Sequence, residues 1–203
     1  ILATGGFSAN KELLKKYVPG SEVFQTSNQI GATGDFIPVF EKNNIKTANL
    51  EVLNIFPFII RQTRDLTGGG DGFILVNKEG KRFTSESITY ATRFSTAQKI
   101  LDQTDSAAFY IYDQKLYDSS FRLQKHTAQG LHLKADTLDE LADKLGIDKN
   151  NLKSTVEEFN KAVRGEIKDP FREKPTKKEF MSEGPYYGVQ VESAIHMTRG
   201  GVV

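Results

Sequence analysis

The chain has 203 residues, with 27 basic and 26 acidic side chains that nearly cancel, so no charged surface argues for nucleic acid. Cysteine is absent, which excludes disulfides, thiolate metal sites and a cysteine nucleophile, and the three histidines are too scattered for a metal motif. This length suits one large domain or one domain plus part of a second, no apolar stretch is long enough to span a bilayer, and the compartment stays open.

Both ends of the chain indicate neighbouring structure. Residues 1–7 form an apolar run, predicted as a strand, that enters a glycine turn, and residues 199–203 run into another apolar segment. A strand that starts at the first residue and one that stops at the last require pairing partners outside the chain. We therefore expect this sequence to be the middle of a longer protein.

Strand and helix signals alternate through the first half. Ser8 or Asn10 is expected to cap a short helix that Pro19-Gly20 ends. A second helix is predicted over residues 35–44, with Pro38 in its first turn, where a missing N–H costs nothing. The remaining elements predicted here are extended segments at 51–61 and 107–112, a glycine loop at 67–72, a hairpin over 73–83 turned at Glu79-Gly80, and a helix over 91–103.

The second half is more helical. Thr137 opens a capping box with Glu140, which predicts a helix to Leu145, and Asp148 caps a long amphipathic helix that ends at Gly165. The remaining predictions are a charged, proline-bearing surface loop at 168–175, a strand at 186–192 and a turn at 196–201. The mixture predicts an α+β domain bracketed by two pieces of something else.

Five motifs follow one another along the chain: ATGGF at 3–7, NQIGATGD at 28–35, GFILVNKEGKRF at 72–83, GPYY at 184–187 and HMTRGG at 196–201. Together they resemble the flavoprotein subunit of the fumarate reductase and succinate dehydrogenase superfamily, on its soluble flavocytochrome-like side. In that family a mobile capping domain interrupts a Rossmann-like FAD-binding domain, and the active site lies between them. The resemblance implies an α+β fold in which residues 1–50 are a remnant of the FAD-binding domain, 51–190 the capping (substrate) domain and 191–203 the return into the FAD-binding domain.

The resemblance also implies a set of FAD contacts, namely Ala3, Thr4, Gly5, Gly6, Thr33, Gly34, Asp35 and His196. The glycines would let backbone approach the cofactor closely, although an ordinary turn also explains them. Asp35 would equally suit the start of a helix, where the dipole favours a carboxylate. Because the chain has no Gly-x-Gly-x-x-Gly turn, we expect it alone to be a folded, colourless monomer with little affinity for FAD.

The chemistry that the resemblance implies is hydride transfer from reduced flavin to an activated C=C bond, followed by protonation of the adjacent carbon. The proton donor of the family is an arginine, which maps to Arg93; the alternative is a solvated helix arginine. Two histidines that bind the substrate carboxylate in the family are matched here by Phe56 and Met197, next to Thr198. Phe and Met offer an apolar wall instead, unless both simply pack in the core.

We therefore expect part of an FAD-dependent reductase acting on an unsaturated acid with a single carboxylate, such as acrylate, cinnamate or urocanate. Its electron donor would be a domain or protein outside these residues. One alternative is a ketosteroid dehydrogenase-like flavoenzyme, in which Tyr90 or Tyr187 would serve as the acid. The other is a cap that has lost catalysis and serves as a binding or electron-relay module.

Overall fold

A computed structural model describes residues 3–174 and 176–203 of the chain. The helices are α1 Lys11–Tyr17, α2 Ile37–Lys42, α3 Arg93–Leu101, α4 Gln114–Asp118, α5 Phe121–Ala128, α6 Leu138–Leu145 and α7 Lys149–Val163, with short 3-10 turns at Ser21–Val23 and Thr104–Ser106. The strands are β1 Gln25–Thr26, β2 Thr47–Ala48, β3 Leu53–Ile60, β4 Phe73–Val76, β5 Ala108–Asp113, β6 Leu133–Ala135, β7 Tyr186–Thr198 and β8 Gly201–Val202.

The long strand β7 organises the main sheet. Its first half pairs antiparallel with β5 and β6, and its second half pairs antiparallel with β3 and parallel with β1. β4 extends the sheet beyond β5, and β2 and β8 form a separate two-stranded ladder. One strand therefore connects the part of the sheet nearest β5 with the part nearest the N-terminal residues.

Both faces of the sheet are covered, which explains why β4 and β5 are buried along their whole length. Alternate residues of β4 point to opposite faces. Ile74 and Val76 pack with α6 and α7 through Leu141, Leu152 and Phe159. Leu75 lies on the other face in an aromatic cluster whose further members include Phe58, Phe73, Tyr110, Tyr112 and Tyr187. A helical layer thus backs one face and an aromatic core the other.

A third apolar cluster joins the N-terminal residues to the sheet. Phe7, Leu14 and Ile37 are buried there with Ile195 of β7 and Ala97 of α3. Residues before 50 and after 190 therefore share one core with the helix that carries Arg93.

Most local predictions are confirmed. Asn10 caps α1 by accepting from the backbone N–H of Glu12 and Leu13, and Asp148 caps α7. Thr137 caps α6, but the side chain of Glu140 accepts from the N–H of Asp136, so only half of the capping box forms. The α+β class is confirmed by the element order.

Several pairings were predicted wrongly. Residues 3–7 contain no strand, and the start of that predicted strand, Ile1 and Leu2, lies outside the described residues. The second arm of the 73–83 hairpin is reduced to one bridge, Val76 to Arg82, and the N–H of Leu75 donates instead to the side chain of Glu86. The turn predicted at 196–201 begins only after Thr198, since β7 stays paired with β3 up to that residue. The helices α4 and α5 were not predicted.

The predicted surface loop at 168–175 is also wrong in part. The side chains of Asp169 and Arg172 are only 1% and 5% exposed. Asp169 forms an ion pair with Arg82, and Arg172 forms one with Glu86. Buried charges are retained when they are paired and hydrogen-bonded, so this segment is anchored to the domain by its charged residues. Pro175 lies outside the described residues.

Candidate active site

Arg93 is positioned by a turn that runs directly into α3. The N–H groups of Thr92 and Arg93 both donate to the carbonyl of Thr89, at 3.1 Å each. This places Tyr90 and Arg93, three residues apart, on one side of the turn. The guanidinium carbon of Arg93 lies 4.1 Å from the centroid of the Tyr90 ring.

β3 supplies the opposite side of this arrangement. Asn54 and Phe56 are two residues apart in the strand and face the start of α3. The Phe56 ring centroid is 5.2 Å from the guanidinium carbon of Arg93, and Nη1 of Arg93 donates to Oδ1 of Asn54 at 3.2 Å. Arg93 is thus held between two rings and one amide, rather than extended into solvent as a surface helix arginine would be.

A cleft of about 450 Å³ opens beside Arg93. One wall is apolar and includes Phe56, Pro57, Phe58, Phe73 and Ile88. The other wall is polar and includes Asp71, Glu86, Arg172, Lys174 and Thr176, with the backbone of Gly69 and Gly70 between the walls. An aromatic wall facing a charged wall suits a ligand with an apolar body and an anionic group.

The polar wall rests on a buried ionic network. Glu86 accepts from Nε and Nη2 of Arg82, both at 2.8 Å, and from Nε of Arg172 at 3.1 Å. Asp169 accepts from Arg82 on the other side, at 3.2 Å. Burial by itself lowers the pKa of Arg82, but hydrogen bonds and charge from Glu86 and Asp169 outweigh it and raise that pKa. Arg82 therefore stays charged, and the ion pairs fix both arginines beneath the cleft.

The glycine loop of the cleft is anchored by a buried histidine pair. The hydroxyl of Thr67 lies 3.0 Å from Nδ1 of His126 and 2.9 Å from Nε2 of His132, whose Nδ1 lies 2.7 Å from the Tyr112 hydroxyl. Burial, followed by the neighbouring His126, lowers the pKa of His132 to about 3, so the ring is neutral at ordinary pH. Nothing in the sequence spacing signalled this network.

His196 stands at an irregularity of the sheet. β7 has one residue more than β3 between the pairs Asn54–Met197 and Ile55–Ile195, and that residue is His196. Bulges of this kind re-aim side chains. The His196 ring lies 6.4 Å from the Phe56 ring, and its Nδ1 is 3.3 Å from Oγ of Ser27. The bulge thus brings one of the expected FAD contacts beside the wall of the cleft.

Met197 and Thr198 follow in the same strand but take separate positions. Met197 is exposed and lies opposite Asn54, outside the residues that line the cleft. Oγ1 of Thr198 accepts from the N–H of Phe7 at 3.3 Å and so faces the N-terminal residues. Phe56 and Arg93 are therefore brought together in the cleft, whereas Met197 and Thr198 lie beside it.

Most of the expected cofactor contacts gather in one groove of about 390 Å³, lined by Ala3, Thr4, Gly5, Gly6, Phe7, Gly34, Phe36, Ile37, Phe40 and residues 200–202. A Cβ on Gly6 would lie 2.1 Å from Oγ1 of Thr198, and one on Gly34 would lie 2.5 Å from Cβ of Phe7. Beside Gly5, at φ +73°, a Cβ would meet nothing within 4 Å. A close-packed backbone with open space next to it fits an extended cofactor.

Thr33 and Asp35 lie at the edge of this groove. The Thr33 hydroxyl donates to Oδ1 of Asp35 at 2.7 Å, and Asp35 is exposed. α2 begins two residues later, with Phe36 as N-cap and no side-chain cap. Asp35 therefore does not cap the helix, and its carboxylate is left free to meet a ligand.

The fold and the glycine-lined groove define part of a nucleotide-cofactor flavoprotein. The profile of the FAD binding domain family matches residues 1–203. The chain belongs to this family, whose cofactor is FAD.

Similar proteins agree with that assignment. Fumarate reductase (cytochrome) of Shewanella frigidimarina is 36% identical, and the match covers 100% of this chain and 35% of the relative. Urocanate reductase of Eggerthella lenta is 29% identical, with 100% of this chain and 35% of the relative covered. The open conformation of a flavocytochrome c3 fumarate reductase superposes with a TM-score of 0.86 at 30% identity, over 99% of this chain and 36% of that chain. The chain thus spans about a third of the length of each of these three proteins.

Two findings bear on other classes of site. No helix in residues 3–174 or 176–203 combines the length and hydropathy that a membrane crossing requires. Those same residues hold no group of three or more His, Cys, Asp or Glu side chains placed to bind a metal ion.

Proposed function

We propose that this chain is the substrate-binding part of an FAD-dependent reductase that saturates the C=C bond of a small unsaturated carboxylic acid. The observation that carries the proposal is the Arg93 guanidinium, held by Phe56, Tyr90 and Asn54 at the mouth of a cleft that is half aromatic and half charged. The names of the relatives, a fumarate reductase and a urocanate reductase, describe the same class of reaction.

The cofactor groove and the cleft beside Arg93 would contribute different parts of the reaction. FAD, when bound and reduced, supplies a hydride to one carbon of the double bond. Arg93 supplies the proton for the adjacent carbon, so that a hydride and a proton, two electrons and two protons in all, are added across the double bond and one C=C bond becomes a C–C bond. Arg93 and Lys174 place positive charge in the cleft, which attracts the carboxylate and stabilises charge that develops on it.

The walls of the cleft favour an acid with one carboxylate and an apolar or aromatic body. Phe56 presents a ring to the cleft and has no hydrogen bond to offer a second carboxylate. Leaving a buried polar group unpartnered costs about 1–3 kcal/mol, and a charged carboxylate costs more. Acrylate, cinnamate and urocanate therefore suit the site better than fumarate does.

We also propose that residues 1–50 and 191–203 belong to the FAD-binding domain and residues 51–190 to the cap. The pairings β1–β7 and β2–β8 and the bond from Phe7 to Thr198 support this division, because they join the first segment to the last. Electrons would reach FAD from a donor domain or protein outside these residues. Tyr187 does not line the cleft, and its hydroxyl donates to Gln114, which favours the reductase over a tyrosine-based ketosteroid dehydrogenase.

Replacing Arg93 by Ala in the full-length, FAD-loaded protein tests the proposal. General acids contribute roughly 10²–10⁴-fold to rate, so turnover should fall by about that factor while the flavin spectrum and FAD content stay unchanged. Turnover is followed as oxidation of a reduced viologen dye by fumarate, acrylate, cinnamate and urocanate. Arg122→Ala, at an exposed position of α5, is the matched control.

The substrate panel tests Phe56 as the specificity wall, and the Arg93→Ala variant tests Arg93 as the proton donor. Turnover of a monocarboxylate but not of fumarate supports Phe56 as the specificity wall. Fast turnover of fumarate refutes the wall, and undiminished turnover by Arg93→Ala refutes the acid. A cap that serves only as a binding or electron-relay module would reduce none of the four acids.

A further inference from the structure

Tyr90 packs against Arg93 while staying largely exposed to solvent. Its side chain is 74% exposed, yet its ring covers the guanidinium of Arg93 at 4.1 Å. We propose that Tyr90 is a positioning residue for Arg93, closing an aromatic sandwich whose other side is Phe56. This inference rests on the proposed function, because it assigns a role within the same reaction.

The sandwich restricts how a substrate can reach the guanidinium. The guanidinium carbon of Arg93 lies over both rings, 4.1 Å from the Tyr90 centroid and 5.2 Å from the Phe56 centroid, so the two rings occupy part of the space around the group. Nη1 is already held by Asn54, at 3.2 Å. Nε of Arg93 is buried and finds no hydrogen-bond partner among residues 3–174 and 176–203. An acceptor must therefore approach in the guanidinium plane, along the N–H bonds.

The position of Arg93 in its helix makes such support necessary. Arg93 is the first residue of α3, and a cation at a helix N-terminus is opposed by the helix dipole. Thr92, the N-cap, makes no side-chain cap bond. Stacking of a guanidinium on an aromatic face is attractive and keeps the planar group at a fixed orientation. Tyr90 therefore stabilises the positive charge of Arg93, which the dipole of α3 disfavours.

Exposure separates this role from ordinary packing. Tyr90 is not among the buried residues of the three apolar clusters, so replacing it removes little of the core. Its neighbours in the turn, Thr89 and Thr92, complete the turn through their own backbone and hydroxyl groups. The ring is therefore not required to form the turn, and its close contact is with Arg93.

Two substitutions distinguish the ring from mere bulk. Tyr90→Phe keeps the aromatic face, whereas Tyr90→Leu keeps apolar contact and removes the π-face that attracts the cation. In the full-length, FAD-loaded protein, Tyr90→Phe should retain native kcat on the acid that is best reduced. Tyr90→Leu should lower kcat by about tenfold, with KM, FAD content and Tm nearly unchanged. Phe121→Leu, at an exposed aromatic of α5, is the control and should match the native protein.

A second readout does not depend on turnover. Phenylglyoxal modifies accessible arginines, and mass spectrometry of peptides measures the rate at Arg93, with exposed Arg199 as internal reference. Modification of Arg93 should speed up in Tyr90→Leu and stay unchanged in Tyr90→Phe. If neither kcat nor this rate differs between the Leu variant and native protein, the positioning role is overturned. If no acid is reduced at all but the rate of phenylglyoxal modification at Arg93 responds as expected, the proposed function fails. The role of Tyr90 in positioning Arg93 is then still supported.

Discussion

Glu86 is the acceptor on which the buried ionic network converges, so its charge should contribute a large part of the folding stability of the chain. Its carboxylate accepts two bonds from Arg82, one from Arg172 and one from the N–H of Leu75, at 2.8 to 3.2 Å. In Glu86→Gln the amide keeps the shape but loses the charge, and its NH₂ group faces guanidinium donors. Removing one partner of a buried ion pair costs about 3–5 kcal/mol.

That loss is large beside the roughly 5–15 kcal/mol by which domains are stable. For a chain of this size it corresponds to a fall in Tm of about 6–20 °C. Urea unfolding followed by circular dichroism, together with calorimetry, measures both quantities. The control is Glu157→Gln, which breaks an exposed pair with Lys161 one turn away and should leave the midpoint unchanged. Equal midpoints for the two variants would refute the reasoning, because the network would then contribute no more than a surface pair.

Two further outcomes follow from the site. Because the pKa of His132 is lowered to about 3 in the folded protein and is about 6.5 in an unfolded chain, the unfolded state alone takes up the proton between those values. The free energy of unfolding should therefore fall as pH drops from 6.5 towards 3, by up to about 1.4 kcal/mol per pH unit, and His132→Gln should flatten this slope in urea midpoints measured across the range. Gly6→Ala would place a Cβ 2.1 Å from Oγ1 of Thr198, so the full-length protein should lose bound FAD, measured as flavin absorbance per protein. Gly31→Ala, outside the groove, where a Cβ meets nothing within 4 Å, should keep the flavin, and an equal loss in both variants would contradict the steric argument.

Local structure was largely predictable from sequence, because the signals act over a few residues. The caps at Asn10, Thr137 and Asp148 are side-chain bonds to N–H groups two or three residues ahead, and all three form. Strand partners were not predictable in this way. β4 pairs along its whole length with β5, more than thirty residues downstream, whereas the predicted hairpin arm keeps only the bridge from Val76 to Arg82.

For the candidate site, too, the contacts between residues far apart in sequence were the ones that could not be predicted. Arg93 and Phe56 were found through resemblance to a family, and the structure brings them into contact. The burial of Asp169 and Arg172 was missed, because a charged segment with prolines is typical of a surface loop and its partners lie more than eighty residues away. Tyr90 was considered only as an acid, since nothing in sequence shows that a tyrosine ring will cover a guanidinium.

The central strand has a consequence for how the chain is made. β7 begins at Tyr186, near the end of the sequence, yet it pairs with β1, β3, β5 and β6, all of which leave the ribosome earlier. Until β7 emerges, the edges of β3 and β5 have no partner there, and unpaired apolar edges associate with other chains. Synthesis of β7 therefore closes the sheet in one event. Truncations just before β7 should yield chaperone-bound or aggregated protein rather than a smaller folded cap.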